Sequence, residues 1–199
     1  MFLIVVILVM FVVMAAYGID RADPNASLLQ LSRDTLLTFG ALYGPKVHSG
    51  EVWRLIAAIF IHVDFIHFIG NLFSTFLLVS RIEYTFGVIR TLIAFLVCGI
   101  AGGIFSLAVD SSNFNTTIKA GASTSLYGVI GIILGYIIIN WRGLRLIGSA
   151  LRCNILCMFF FLLLFILIFT PASSNVVGNV DNLGHLGGFL SGVWVSSIG

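Results

Sequence analysis

A chain of 199 residues that is 59% hydrophobic and only 9% charged, with a formal net charge of +2, lies far outside the composition of water-soluble domains. With a mean hydropathy of +1.13 it reads as an integral membrane protein. The small net charge and the lack of a basic cluster exclude a nucleic-acid partner. Cys98, Cys153 and Cys157 are too few, and too deep in apolar sequence, to form a disulfide framework. All three read as free, buried thiols, and Cys153 and Cys157, one helical turn apart, do not by themselves make a metal site.

The first apolar segment, residues 1–19, holds an unbroken run from Phe2 to Ala16 that approaches the roughly 20 residues a spanning helix needs. It has no basic leader and its run exceeds the core of a usual signal peptide, so it reads as a span rather than a cleaved leader. Residues 20–54 interleave Asp20, Arg21, Asp23, Pro24, Arg33, Asp34, Pro45, Lys46 and Glu51 with short apolar clusters. That stretch cannot span. It predicts short amphipathic helices at the membrane interface, with Trp53 as an anchor at that depth.

Five further spans follow, at residues 65–82, 88–109, 123–141, 154–169 and 181–198. The expected fold is therefore all-α, a polytopic bundle of six transmembrane helices forming a single membrane domain over residues 1–199. The brief connections 81–90 and 142–152 hold five Lys or Arg residues against the single acid Glu83. The opposite connections hold as many cations, spread over far more chain and mixed with most of the acids. Cation density thus places the brief connections and both termini in the cytoplasm, and the 20–54 loop and the mouth of the fourth span outside or in the lumen. Asn25-Ala26-Ser27 and Asn115-Thr116-Thr117 fit glycosylation sequons on that outer side.

Ionisable residues inside spans are costly and mark function more often than not. His67 and Asn71 are four residues apart on one face of the second span. They read either as an interhelical hydrogen-bonding pair or as N–H donors for a developing oxyanion. His185 lies among Gly184, Gly187 and Gly188, and Gly184, Gly188 and Gly192 recur on one face of the last span. Such a face admits close approach of another helix, and the fourth span offers Ser125, Gly128, Gly131 and Gly135. Packing of the two could bring the His185 imidazole to the hydroxyl of Ser123, in the stretch GASTSLYG from Gly121 to Gly128, although each residue alone reads first as part of small-residue helix packing, with Ser123 a packing or capping serine and His185 incidental. A hydroxyl needs a base to become a useful nucleophile, and imidazole is the usual one. Asp181 and Asp64, close before His185 and His67, could orient those rings, but acids favour helix N-termini and both read first as helix-start residues. A metal site from His62, Asp64 and His67 is disfavoured, because the two histidines turn to different helix faces.

Trp53-Arg54 in the first loop, His62, His67 and Asn71 on the second span, GASTSLYG at the fourth and GHLGG on the sixth form an ordered set. This set resembles the rhomboid family of intramembrane serine proteases, over residues 50–192. The resemblance implies Ser123 as nucleophile and His185 as its base, a dyad with no obligatory carboxylate. It implies His67 and Asn71, with the Ser123 backbone N–H, as the oxyanion hole, and Tyr127 as the ring stacked on the catalytic histidine. Gly121 corresponds to the glycine of the GxS turn, Trp53 and Arg54 to the motif that holds the first loop partly in the membrane, and Glu83 and Gly87 to a structural ExxxG. One position departs from the family pattern: Thr124 stands where glycine most often follows the nucleophile, and a β-branched residue there is expected to narrow the oxyanion hole.

On this reading the substrates are transmembrane helices of single-span proteins in the bilayer, cut near the outer or lumenal side, and no cofactor or metal is required. The alternatives are a non-catalytic rhomboid-like protein that binds transmembrane clients, which the presence of both Ser123 and His185 argues against, and a small channel, for which no inverted repeat is visible.

Overall fold

The computed structural model describes residues 2–21, 24, 26–110, 114–143 and 180–198. Helix α1, Phe2–Tyr17, is apolar all round, yet only Leu3, Ile7, Phe11 and Met14 are buried. Their spacing of three and four defines one inward stripe. Phe11 stacks on Phe68 with ring centroids 4.2 Å apart, while Val5, Leu8, Val9, Val12 and Val13 stay exposed. In a membrane chain that second face meets acyl chains, so exposure costs nothing.

The first loop folds into short pieces, as its mixed composition predicts. Helix α2, Arg33–Phe39, is capped by Ser32, whose hydroxyl accepts the Thr35 N–H, and is ended by Gly40 at φ 104. Strand β1, Leu42–Tyr43, leads into α3, Gly44–His48, and then α4, Arg54–Ala57, with a 3₁₀ turn at Ala58–Phe60. Arg54 holds the loop together from within. Only 2% exposed, it donates Nη1 to the carbonyls of Leu37 and Ala41 and Nε to the Glu51 carboxylate, and its guanidinium lies over the Trp53 ring. A second apolar cluster, including Met14, Leu31, Leu36, Ala41, Ile61 and Ile118, packs beneath these pieces.

Helix α5 is Phe65–Phe86 and α6 is Val88–Val109. Both are long and apolar enough to cross a membrane. Asp64 caps α5 by accepting the His67 N–H, in keeping with its reading as a helix-start residue. The helix runs four residues past the expected 82, because Arg81 and Glu83 do not break it. It ends at Gly87, whose φ of 84 few other residues tolerate and whose N–H reaches the Glu83 carbonyl. Glu83 and Gly87 thus serve as a helix terminus.

Strand β2, Ile118–Lys119, pairs antiparallel with β1, Leu42 opposite Lys119 and Tyr43 opposite Ile118. This ribbon, with the single bridge between Ile19 and Leu31, departs from the all-α expectation. The cause is physical: loop backbone carried toward the membrane must satisfy its polar groups within the protein.

Helix α7, Ser123–Ile139, and helix α8, Asn182–Ile198, each 17 residues long, meet along glycines. A methyl on Gly131 would stand 2.9 Å from the Val193 nitrogen, and one on Gly192 would stand 3.0 Å from the Gly128 Cα and closer still to its carbonyl oxygen. The helix backbones are therefore in direct contact, as the sequence spacing predicts. The expected span 154–169, with Cys153 and Cys157, lies outside the described residues. The other five expected spans coincide with α1, α5, α6, α7 and α8.

Candidate active site

The turn that delivers Ser123 is fastened on several sides. Gly121 has φ 140, a value that admits glycine and strains side-chain-bearing residues. Its N–H donates to the Ala58 carbonyl at 2.9 Å, at the 3₁₀ turn of the first loop. The next N–H, of Ala122, donates to His62 Nε2 at 3.4 Å. His62 is fully buried. Burial, reinforced by the neighbouring His67 ring, holds it well below the ordinary imidazole value, so it is neutral and able to accept that N–H. Helix α7 then begins at Ser123 itself.

On α8, the close glycine packing brings His185 to Ser123. Its Nε2 lies 2.8 Å from Ser123 Oγ, within the range of a short hydrogen bond. The imidazole is stacked on Tyr127, with centroids 4.2 Å apart and planes 10° from parallel. Tyr127 is one turn beyond Ser123, so the helix that offers the hydroxyl also sets the plane of the base. Thr124, between them, turns its methyl to the seam of α6 and α8, against the bare faces of Gly102 and Gly188. Glycines on two neighbouring helices thus take up the β-branch.

His67 stands across Gly121. A methyl on that glycine would lie 2.8 Å from His67 Cε1, 2.9 Å from Nε2 and 3.5 Å from Ser123 Oγ. The ring and the hydroxyl thus flank one point that only a missing side chain leaves open. Asn71 is buried and donates Nδ2 to the His67 carbonyl at 2.9 Å. This uses one of its two amide hydrogens. Asp64, one of three residues weighed for a metal, spends its carboxylate on the cap of α5 and on Ser27 Oγ at 2.8 Å. The Asp181 carboxylate likewise meets groups other than the His185 ring. Its Oδ1 accepts the Gly184 N–H at 3.0 Å and the Ser106 hydroxyl.

A rhomboid-domain family model matches residues 49–199. The chain belongs to the rhomboid family. It is 33% identical over 171 residues to RHOMBOID-like protein 5 of Arabidopsis thaliana, covering 86% of this chain and 52% of the relative. It is 29% identical over 198 residues to Rhomboid-like protease 2 of Toxoplasma gondii, covering 96% and 65%. Rhomboid-like protease 1 of the same organism is 33% identical over 157 residues, covering 79% and 50%. The chain spans about half to two thirds of the length of these relatives. As a rhomboid it is an integral membrane protein of a family of intramembrane proteases.

Ser123, His185, His67, Tyr127 and Gly121 meet around the turn, with Asn71 one turn along α5 from His67 and Trp53 and Arg54 in the first loop, whereas Glu83 and Gly87 lie at the far end of α5. Two groups beside them are not apparent from sequence. His62 stands there as a motif member without a contact to make, and its acceptance of the Ala122 N–H is a backbone contact that no residue pattern encodes. Lys119, four residues before Ser123, is a lone cation entering a strongly apolar helix, and that isolation is the available signal.

Proposed function

We propose that this rhomboid is a serine endopeptidase that cleaves transmembrane segments of single-span membrane proteins within the bilayer, near its outer or lumenal side. The observation that carries the reading is the 2.8 Å approach of His185 Nε2 to Ser123 Oγ. His185 takes the hydroxyl proton as Ser123 attacks the scissile carbonyl. The tetrahedral oxyanion is met by the Ser123 backbone N–H, by His67 and by Asn71. His185 then hands its proton to the leaving amine, and a water, activated by the same imidazole, hydrolyses the acyl-enzyme. Tyr127 keeps the imidazole plane fixed through both halves, and Gly121 leaves room for an extended substrate strand. Because a peptide bond inside an intact helix is shielded, the substrate helix must unwind at its outer end. The chemistry needs no cofactor or metal.

The described helices α1, α5, α6, α7 and α8, with a sixth span in residues 154–169, would make one membrane domain, with both termini in the cytoplasm of a plasma-membrane or secretory-pathway protein. The cation density of the brief connections supports this orientation. A fluorophosphonate probe tests the nucleophile directly. The purified protein in detergent should be labelled at Ser123, with labelling lost in His185→Ala. Labelling that persists in His185→Ala, or that maps to another serine, contradicts the dyad.

A further inference from the structure

Outside the dyad and the Arg54–Glu51 pair of the first loop, the described residues bury a cluster of charge between the two segments that carry Ser123 and His185. Lys119 is 8% exposed. Its ammonium donates to Asp110 Oδ2 at 2.9 Å and to Ser106 Oγ, and forms an ion pair with Asp181 Oδ1 at 3.4 Å. Ser106 in turn donates its hydroxyl to Asp181 Oδ1. Three ammonium hydrogens thus face three oxygens, and the serine fills both its donor and an acceptor role. We propose that Lys119 is a positioning residue that fastens the Ser123 turn to the start of the His185 helix, through Ser106 and Asp181.

The placement supports this at both ends. Lys119 stands four residues before Ser123, and Asp181 four before His185. Asp181 also accepts the Gly184 N–H, and its backbone carbonyl accepts the His185 N–H at 2.9 Å. The carboxylate that meets Lys119 therefore belongs to the residue that starts α8. A methyl on Gly184 would lie 2.8 Å from the Asp181 Cγ, so the tucked carboxylate requires that glycine. At the other end Lys119 is held in register by the β1–β2 ribbon, opposite Leu42. Ser106 and Asp110, at the end of α6, complete a three-way joint. The charged groups facing the ammonium are Asp110 and Asp181, and its burial leaves it no role as a surface contact for lipid or substrate. Loosening this joint would free α8 to shift relative to the turn, and a displacement of about 1 Å at reacting groups costs on the order of a hundredfold in rate.

The inference rests on the protease reading, so its test is kinetic and built to separate the two. The full chain is reconstituted in proteoliposomes with a single-span reporter, and initial rates are measured against reporter density. Lys119→Met should lower kcat by about tenfold or more while KM stays within about threefold, since the joint lies away from substrate contacts. Asp181→Asn, which keeps the cap acceptor and removes the charge, should do the same. The double variant should be no slower than the slower single one, as expected for groups acting through one contact. If Lys119→Met does not fold, judged by thermal unfolding, Ser106→Ala carries the test with a loss of roughly threefold or more in kcat at constant KM. A kcat within twofold of wild type in the folded variants, a loss confined to KM, or multiplicative losses in the double variant overturns the positioning role alone. A wild-type protein with no Ser123-dependent cleavage removes both readings.

Discussion

At the scale of single residues, the candidate site depends on what each side chain leaves room for. Gly121 combines φ 140 with a Cβ position 2.8 Å from the His67 ring. Gly121→Ala therefore meets backbone strain of about 1–3 kcal/mol and displaces a proposed oxyanion donor. Its cleavage rate should fall by about a hundredfold or more, measured on the reconstituted reporter. Asn71→Ala should lose about a hundred- to thousandfold, as for one oxyanion donor, whereas loss of Ser123 should leave almost nothing. Tyr127→Phe retains a ring to stack on His185 and should stay close to wild type. Tyr127→Leu gives up a stacking contact of about 0.5–1.5 kcal/mol, a loss in kcat of up to about tenfold. Ser123, His185, His67 and Asn71 are legible in the sequence because each is a polar residue in an apolar span, where polarity is expensive. Lys119 is not legible there as a member of the site. Its partners come from two separate stretches, Ser106 and Asp110 at the end of α6 and Asp181 before α8, and no residue spacing links them to Lys119. Sequence likewise shows the β-branch of Thr124 beside Ser123 but not that Gly102 and Gly188 receive it.

At the scale of elements, two features position the site. The first is the glycine seam of α7 and α8. Gly192→Ala places a methyl against the Gly128 carbonyl, so the helices must part. Overpacking of this kind costs about 1–3 kcal/mol, visible as a lowered thermal transition in detergent and accompanied by a fall in activity as His185 withdraws. Gly70→Ala, where no atom lies within 4 Å of the added methyl, is the matched control and should change stability by no more than about 1 kcal/mol. The second feature is the first loop. Arg54→Met leaves the carbonyls of Leu37 and Ala41 without their donor, at about 1–3 kcal/mol for each buried group left unpaired. Glu51, held below its ordinary carboxylate value by its hydrogen bond to Arg54 and by the charges of Arg54 and Lys46, adds a pH dependence of a fixed sign. A carboxyl whose folded value is depressed stabilises the folded loop fully above its ordinary pKa of 4.5, and that contribution is lost as pH falls below it. Protection factors of the amides in residues 33–57, with exchange rates corrected for their intrinsic pH dependence, should therefore fall in that acid range, and less so in Glu51→Gln. The start and stop of α5 are legible in the sequence, since Asp64 and Gly87 mark them, whereas the Ser32 cap of α2 lies in a loop whose short helices have no readable bounds. The β1–β2 ribbon is not, because two-residue strands leave no periodicity to read.

At the scale of the whole molecule, the described helices expose large apolar side chains, as suits contact with lipid, and bury a set of polar ones. Val5, Val12, Ile89, Ile93 and Trp194 are exposed on different helices, while Arg54, His62, Asn71, Lys119 and His185 are buried. Composition alone foretells a membrane protein, and the apolar runs foretell helices α1, α5, α6, α7 and α8, of which α5 and α6 are long and apolar enough to cross a membrane. The orientation rests on the density of Arg81, Arg90, Arg142, Arg145 and Arg152 in two brief connections. In cells able to glycosylate, an acceptor sequon engineered beside Ser49 should be modified, and one beside Glu83 should not. The reverse pattern would invert the topology.

The central claim is that Ser123 and His185 together cut a peptide bond in a membrane-embedded segment. The most direct measurement reconstitutes the purified chain in liposomes with a single-span reporter whose outer helix end is destabilised, and compares wild type with Ser123→Ala and His185→Ala. Wild type should release a product cut within or at the edge of the span, and both variants should release essentially none. Equal cleavage by all three, or none by wild type across a panel of such reporters, would contradict the account.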